Sequence, residues 1–109
     1  KALQATDRAV GKLVKAVLDR QGTIFVTADH GNAEELITYP RSSFFFTTDN
    51  GEVNTDHSNN PVPFIIVHHS LFQSATKLHH GTLHDIAPTI LSWLGLPVPT
   101  YMTGKNLLQ

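Results

Sequence analysis

A chain of 109 residues with 40% apolar content can bury one modest core, and no shift in composition along it marks a second domain. Its formal net charge of −1, with eight Lys and Arg scattered rather than clustered, excludes the basic footprint of a nucleic-acid or anionic-membrane binder. No apolar run reaches the roughly 18 residues of a membrane span, no start pattern reads as a signal peptide, and zero cysteines exclude disulfides and thiolate zinc sites, which suits a cytoplasmic protein.

The first residue is Lys1 rather than methionine, and a helical pattern follows it at once, so the sequence reads as a piece of a longer chain. Across residues 2–20, Leu3, Val10, Leu13, Val14, Val17 and Leu18 recur at helical spacing, with Lys12, Lys15, Asp19 and Arg20 toward the other face. This predicts an amphipathic helix stopped by Gly22 in the left-handed conformation. Residues 23–27, β-branched and mostly apolar, predict a buried strand ending at Asp29. A strand apolar on both faces suggests a layered α/β domain rather than a half-exposed antiparallel sheet, with ligands gathering at strand ends.

A short helical turn is expected around Ala33-Glu34-Glu35-Leu36, broken at Pro40. Residues 44–48 and 52–55 flank Asp49-Asn50-Gly51, and Asn-Gly between β-prone runs predicts a small hairpin excursion over about residues 40–56. Pro61 and Pro63 cannot donate ladder hydrogen bonds and should precede a second buried strand at about 63–68. Residues 68–81 are polar and irregular. Asp85 can then cap a last helix in which Pro88 falls in the tolerant first turn and Ile86, Ile90, Trp93 and Leu94 form the apolar stripe, with Gly95 as its stop.

Three side chains at or near strand ends carry the candidate chemistry: Asp29, His30 and His57. Neutral imidazole and ionised carboxylate together suit manganese, zinc, iron or cobalt better than calcium. On residue chemistry alone, Asp-His-Gly after a strand is more often a turn with a hydrogen-bonded aspartate. Two catalytic metals also need more ligands than three side chains provide, so others must come from elsewhere.

At these residues the chain resembles a family. Thr27-Ala28-Asp29-His30-Gly31-Asn32-Ala33-Glu34, His57 followed by Asn60-Pro61-Val62-Pro63, Asp85-Ile86-Ala87-Pro88-Thr89 and Met102-Thr103-Gly104, with Asp7 and Gly11 in the helix before them, resemble the C-terminal part of cofactor-independent phosphoglycerate mutase, in the alkaline phosphatase superfamily. The resemblance runs in order over nearly all the chain. It implies that residues 1–109 are the C-terminal segment of a three-layer α/β/α metal-dependent phosphatase/mutase domain. That enzyme interconverts 3- and 2-phosphoglycerate through a phosphoserine, without 2,3-bisphosphoglycerate.

The resemblance further implies two divalent ions, manganese first, with zinc, cobalt, iron or magnesium as alternatives. Asp29 and His30 would bind one and His57 the other. From their chemistry alone, Asn32 and Glu34 are candidates either for outer groups orienting the ligands or for a local cap or turn. The substrate would be a small phosphorylated molecule and the full-length protein a monomer. The family's upstream Asp-x-x-x-His pair, nucleophilic serine and inserted substrate domain have no counterpart in this sequence, and Ser58 and Ser92 lie in no matching nucleophile motif. The alternatives are phosphopentomutase, another hydrolase of the superfamily, or a non-catalytic metal-binding module.

The remaining features have plainer readings. His68-His69, His79-His80 and His84 are expected to be solvated or hydrogen-bonded rather than ligands, and Phe44-Phe45-Phe46 to pack on the domain rather than bind a partner.

Overall fold

A computed structural model describes residues 1–38, 52–72 and 77–109. It comprises two units, Lys1–Gly22 with His68–Gln109, and Thr23–Val67.

In the first unit, α1 spans Ala2–Leu18. Lys15 donates to the Asp19 carboxylate at 2.7 Å, four residues on along the exposed face, and that hydrogen bond, followed by the attraction of the charge, raises the Lys15 pKa. The predicted apolar stripe is covered unevenly. Val10, Val14, Val17 and Leu18 are half-buried, whereas Leu3 and Leu13 are exposed.

The stop of α1 differs from the expectation. Gln21, not Gly22, has the positive φ, at 57°. Gln21 N–H donates to Leu18 O at 2.9 Å and Gly22 N–H to Val17 O at 2.9 Å, the two bonds of a Schellman ending. Gly22 serves a different need: a Cβ there would lie 2.8 Å from Val17 Cγ1 and 3.2 Å from Val17 O.

The last helix, α2, spans Ile86–Trp93 and follows a 3-10 turn at Leu83–Asp85. Asp85 stands at the N-cap position of α2, as expected, but its side chain makes no capping bond to that helix. Thr82 heads the segment, and Asp85, three residues on, accepts the Thr82 N–H at 2.7 Å and its hydroxyl at 3.1 Å through Oδ2, the arrangement of a capping box. Gly95 (φ 67°) ends α2 as expected, with Leu96 N–H donating to Leu91 O at 2.9 Å.

The buried face of α2 is centred differently from the predicted stripe. Thr89 is fully buried and Pro88 buried, Ile86, Ile90 and Trp93 are half-buried, and Leu94 is 59% exposed. Asp85 and Thr89 are drawn inward by the chain's last residues. Lys105 N–H donates to Asp85 Oδ1 at 2.7 Å, and Leu107 N–H to Thr89 Oγ1 at 3.0 Å. The Thr89 hydroxyl in turn donates to Asp85 O at 2.7 Å, leaving its lone pairs for Leu107. Leu107, the one buried large apolar side chain among the described residues, closes this small polar core.

In the second unit, β1 (Ile24–Thr27) pairs with β4 (Phe64–Val67) antiparallel, in the register Ile24↔Val67 to Thr27↔Phe64. Both strands fall where the sequence placed them, and they pair antiparallel, which the sequence reading did not expect, while the α/β class stands. A parallel neighbour needs a crossover, usually helical, and the described residues between β1 and β4 hold only a 3-10 turn at Ala33–Glu35 and two two-residue strands. The strands are half-buried rather than buried, with Thr27 and Ile65 exposed. Phe25 and Phe64, diagonal across the ladder, stack at 6.2 Å.

The two short strands, β2 (Ile37–Thr38) and β3 (Glu52–Val53), pair antiparallel. The ribbon therefore begins before residue 40. The expected strand over 44–48, the Asn50-Gly51 turn and the three phenylalanines lie outside the described residues.

Two stability tests follow from these contacts. Gln21→Gly should stabilise the chain by about 0.5–1 kcal/mol, because a left-handed residue with a Cβ costs more than glycine's lost entropy, whereas Gly22→Ala should destabilise it by about 1–2 kcal/mol through crowding on Val17. Thr89→Val keeps the shape but strands the Leu107 N–H, for an expected loss of about 1–3 kcal/mol. Urea unfolding of each variant measures all three.

Candidate metal centre

The second unit brings two distant segments side by side where β1 ends and before β4 begins. Gly31 and Ser58 form an isolated antiparallel bridge, with Ser58 N–H donating to Gly31 O at 2.8 Å. Ser58 Oγ and Glu34 Oε1 stand so near the Gly31 Cα that any Cβ would collide with both. A side chain there would displace the Ser58 hydroxyl and the Glu34 carboxylate, so glycine is what lets the two meet beside the turn.

The bridge places His30 and His57 face to face, with ring centroids 3.6 Å apart and planes 13° from parallel. His30 Nδ1 lies 3.0 Å from Gly31 O, and a carbonyl can only accept, so Nδ1 carries the hydrogen. In the neutral ring Nε2 then holds a lone pair. It faces Asp29 Oδ1 at 3.6 Å, with the carboxylate largely exposed and the His30 side chain one-third exposed.

A carboxylate and an imidazole nitrogen facing each other across this gap attract when they share a proton or a metal cation. The separation lets one divalent ion sit within ~2.1 Å of both. A ring nitrogen fixed by a backbone carbonyl, leaving the other free, is the usual preparation of a metal-binding histidine. The donor pair Asp29 and His30 thus fits a divalent cation. His57 joins them through its ring face, and no group of three or more His, Cys, Asp or Glu side chains converges on one point among the described residues.

The hydrogen bonds of Asn32 and Glu34 run to residues that flank His57 and to their own turn, rather than to the ligand side chains themselves. Asn32 Nδ2 donates to Asp56 O at 2.9 Å, just before His57. Glu34 Oε1 accepts the Ser58 hydroxyl and, at 3.1 Å, Asn60 Nδ2, while Oε2 accepts Asn32 N–H at 3.1 Å. Asn60 Nδ2 also reaches Glu35 Oε1 at 2.7 Å. The Ser58 hydroxyl above all, with backbone N–H groups and Asn60 adding to it, lowers the Glu34 pKa to about 2 against a smaller opposing effect of desolvation.

Ser58 and Asn60 are therefore site residues that the sequence reading did not single out as such. The signal was present as polar residues flanking His57 and a Glu34-Glu35 pair, but nothing in the pattern says that they meet.

The other histidines make local contacts in the first unit. His68 Nδ1 accepts the Ser70 N–H at 3.2 Å and its ring meets Trp93 edge-on, His69 Nε2 donates to Leu18 O at 3.0 Å, and His84 Nδ1 pairs with Thr82 Oγ1 at 2.8 Å. His79 and His80 are exposed, as is Asp7 on α1, and Ser92 is half-buried in α2.

Comparison with known proteins gives these residues a family. The profile of the Metalloenzyme superfamily matches residues 1–98. The 2,3-bisphosphoglycerate-independent phosphoglycerate mutase of Clostridium acetobutylicum is 45% identical over 109 residues, all of this chain and 19% of that protein. The proteins of the same description from Thermomicrobium roseum and Clostridium tetani are 44% identical over 98% of this chain and 38% identical over 99% of it. The chain spans about a fifth of the length of these curated relatives, 19% in each case. It belongs to the Metalloenzyme superfamily, and that membership agrees with the α/β class read from its sequence.

The Glu34 contacts predict an acid dependence. Its folded pKa lies below the ordinary 4.5, so the charged carboxylate stabilises the fold fully above about pH 4.5, and that contribution is lost as pH falls toward about 2. Following the Glu34 side-chain carbon by NMR across this window should give the depressed midpoint. The acid loss of stability should be shallower in Glu34→Gln.

Proposed function

We propose that this chain is the metal-ligand segment of a cofactor-independent phosphoglycerate mutase, in which Asp29 and His30 hold one divalent ion and His57 holds a second. The observation that carries this reading is the His30 Nε2 lone pair facing the Asp29 carboxylate at 3.6 Å, in a chain 45% identical along its whole length to a protein so described. Manganese is the first choice among the ions that mixed nitrogen and oxygen donors favour. Such ions, when bound, neutralise phosphoryl oxygens and make a serine hydroxyl a usable nucleophile.

The chain's own part is to hold and orient. The Gly31 carbonyl fixes the His30 tautomer, and the Gly31–Ser58 bridge keeps the His57 segment beside it. The nucleophilic serine and the remaining ligands would be supplied from outside residues 1–109, in a cytoplasmic protein acting on 3- and 2-phosphoglycerate without 2,3-bisphosphoglycerate. A second reading, a non-catalytic metal-binding module, rests on the same Asp29–His30 donor pair.

Two measurements separate these readings. The 109-residue chain with manganese and 3-phosphoglycerate should show no mutase turnover, and a rate of ~1–1000 per second would refute a nucleophile lying elsewhere. In a full-length polypeptide carrying this segment, the mutase reading requires interconversion that Asp29→Ala or His57→Ala abolishes, whereas the module reading requires none. Calorimetric titration of the chain with manganese should give weak binding, weaker still in His57→Ala and in mild acid, where protons compete for imidazole. Equal affinity of wild type and His57→Ala would remove His57 from the ligand set.

A further inference from the structure

The contacts that set the spacing of the two ligand-bearing segments are not made by the candidate ligands. His30 and His57 meet ring against ring, a contact that attracts but fixes direction weakly. The direction comes from both sides of His57. Before it, Asp56 O accepts from the Asn32 side chain. After it, Ser58 gives its N–H to Gly31 O and its hydroxyl to Glu34, and Asn60 gives its amide to Glu34 and Glu35.

Glu34 is the common acceptor in this arrangement. One of its oxygens takes two donors from the His57 side, and the other takes the Asn32 N–H of its own turn. An ionised carboxylate holds such donors more strongly than a neutral acceptor does.

Resting on the metal-site reading above, we propose that Glu34 is a positioning residue: acting through Ser58 and Asn60, its carboxylate ties the Asp29–His30 turn to the His57 segment and sets the relation of the two imidazoles before any cation binds. The cation then meets a spacing already built, rather than ordering two loops at the cost of its own affinity.

The test has a readout that needs no metal. In the full chain without added metal, nuclear Overhauser contacts between the His30 and His57 ring protons report the stacked pair. They should be present in wild type, lost in Glu34→Ala, and partly restored in Glu34→Gln, which keeps one acceptor oxygen. Thr89→Val, which weakens the other unit, should leave them unchanged and so separates positioning from general destabilisation.

Calorimetry with manganese chloride is the second readout. Glu34→Ala should weaken binding by about tenfold or more, and adding Ser58→Ala to it should change affinity by less than about twofold, because the two residues act as one unit. If Glu34→Ala does not fold, Ser58→Ala carries the test with the same ring contacts. Wild-type ring contacts and affinity in Glu34→Ala, or equal losses in Thr89→Val, would overturn the proposal. If wild type binds no manganese, the metal reading falls, and the ring contacts alone decide whether Glu34 positions His57.

Discussion

A single carboxylate, that of Glu34, joins stretches of chain 24 and 26 residues apart by accepting from Ser58 and Asn60. Beyond the β1–β4 ladder, that constraint holds together the two loops that carry the candidate ligands. Among the described residues the only large hydrophobic side chain that is buried is Leu107, and it belongs to the other unit. The first unit solves the same problem in the same way. Asp85 accepts from Thr82 three residues before it and from Lys105 twenty residues after it, and is held below the ordinary carboxylate pKa first by the Lys105 N–H and then by Thr82. In both units an ionised acceptor gathers several donors, where each charge-assisted bond is roughly twice as strong as a neutral one. No buried side-chain polar atom among the described residues lacks a partner, so this polar route leaves no unpaired group to offset its gain.

This way of ordering the chain bears on the chemistry proposed for it. Metal ligands must be held close together at distances that their own repulsion opposes, and a greasy contact would not select the ring orientation. Backbone and side-chain hydrogen bonds do. Gly31 serves twice, because its carbonyl accepts both the His30 Nδ1–H and the Ser58 N–H, while its missing Cβ admits Ser58 and Glu34. The lone pair left on His30 Nε2 then follows from the acceptor character of one carbonyl, with no charge needing to be buried.

What was legible in the sequence is what local physics decides. The helical spacing of residues 2–20, the β-branched run before Asp29, the two prolines before β4 and the Gly95 stop each act over a few residues, and each gave its element. The Thr82-Leu83-His84-Asp85 box was legible in principle, since a hydroxyl three residues before a carboxylate is the capping-box pattern. Asp85 closes that box three residues after Thr82 and also stands at the N-cap position of α2, so two signals overlap on one residue. Gln21 was not legible: glycine is the default left-handed residue, and only the close approach of Val17 to Gly22 explains why the glycine sits one place later. The antiparallel pairing and the meeting of Glu34 with Ser58 depend on how the chain returns after residue 38, which no short-range pattern encodes.

Ligand number, finally, limits what Asp29, His30 and His57 can do by themselves. Two catalytic cations stand about 3.5–4 Å apart and each wants at least four donors. Three side chains cannot fill them even if waters take some positions. The geometry divides the three unevenly: Asp29 and His30 face a common point, while His57 lies against the His30 ring and is held there by the neighbours that flank it. On the proposed reading Asp29 and His30 would hold one ion and His57 the other. Such a division serves best if His57 is held before the ions arrive, because ordering a loose histidine would draw on the ions' own affinity. That requirement gives the Glu34–Ser58–Asn60 contacts a purpose that fold stability alone does not.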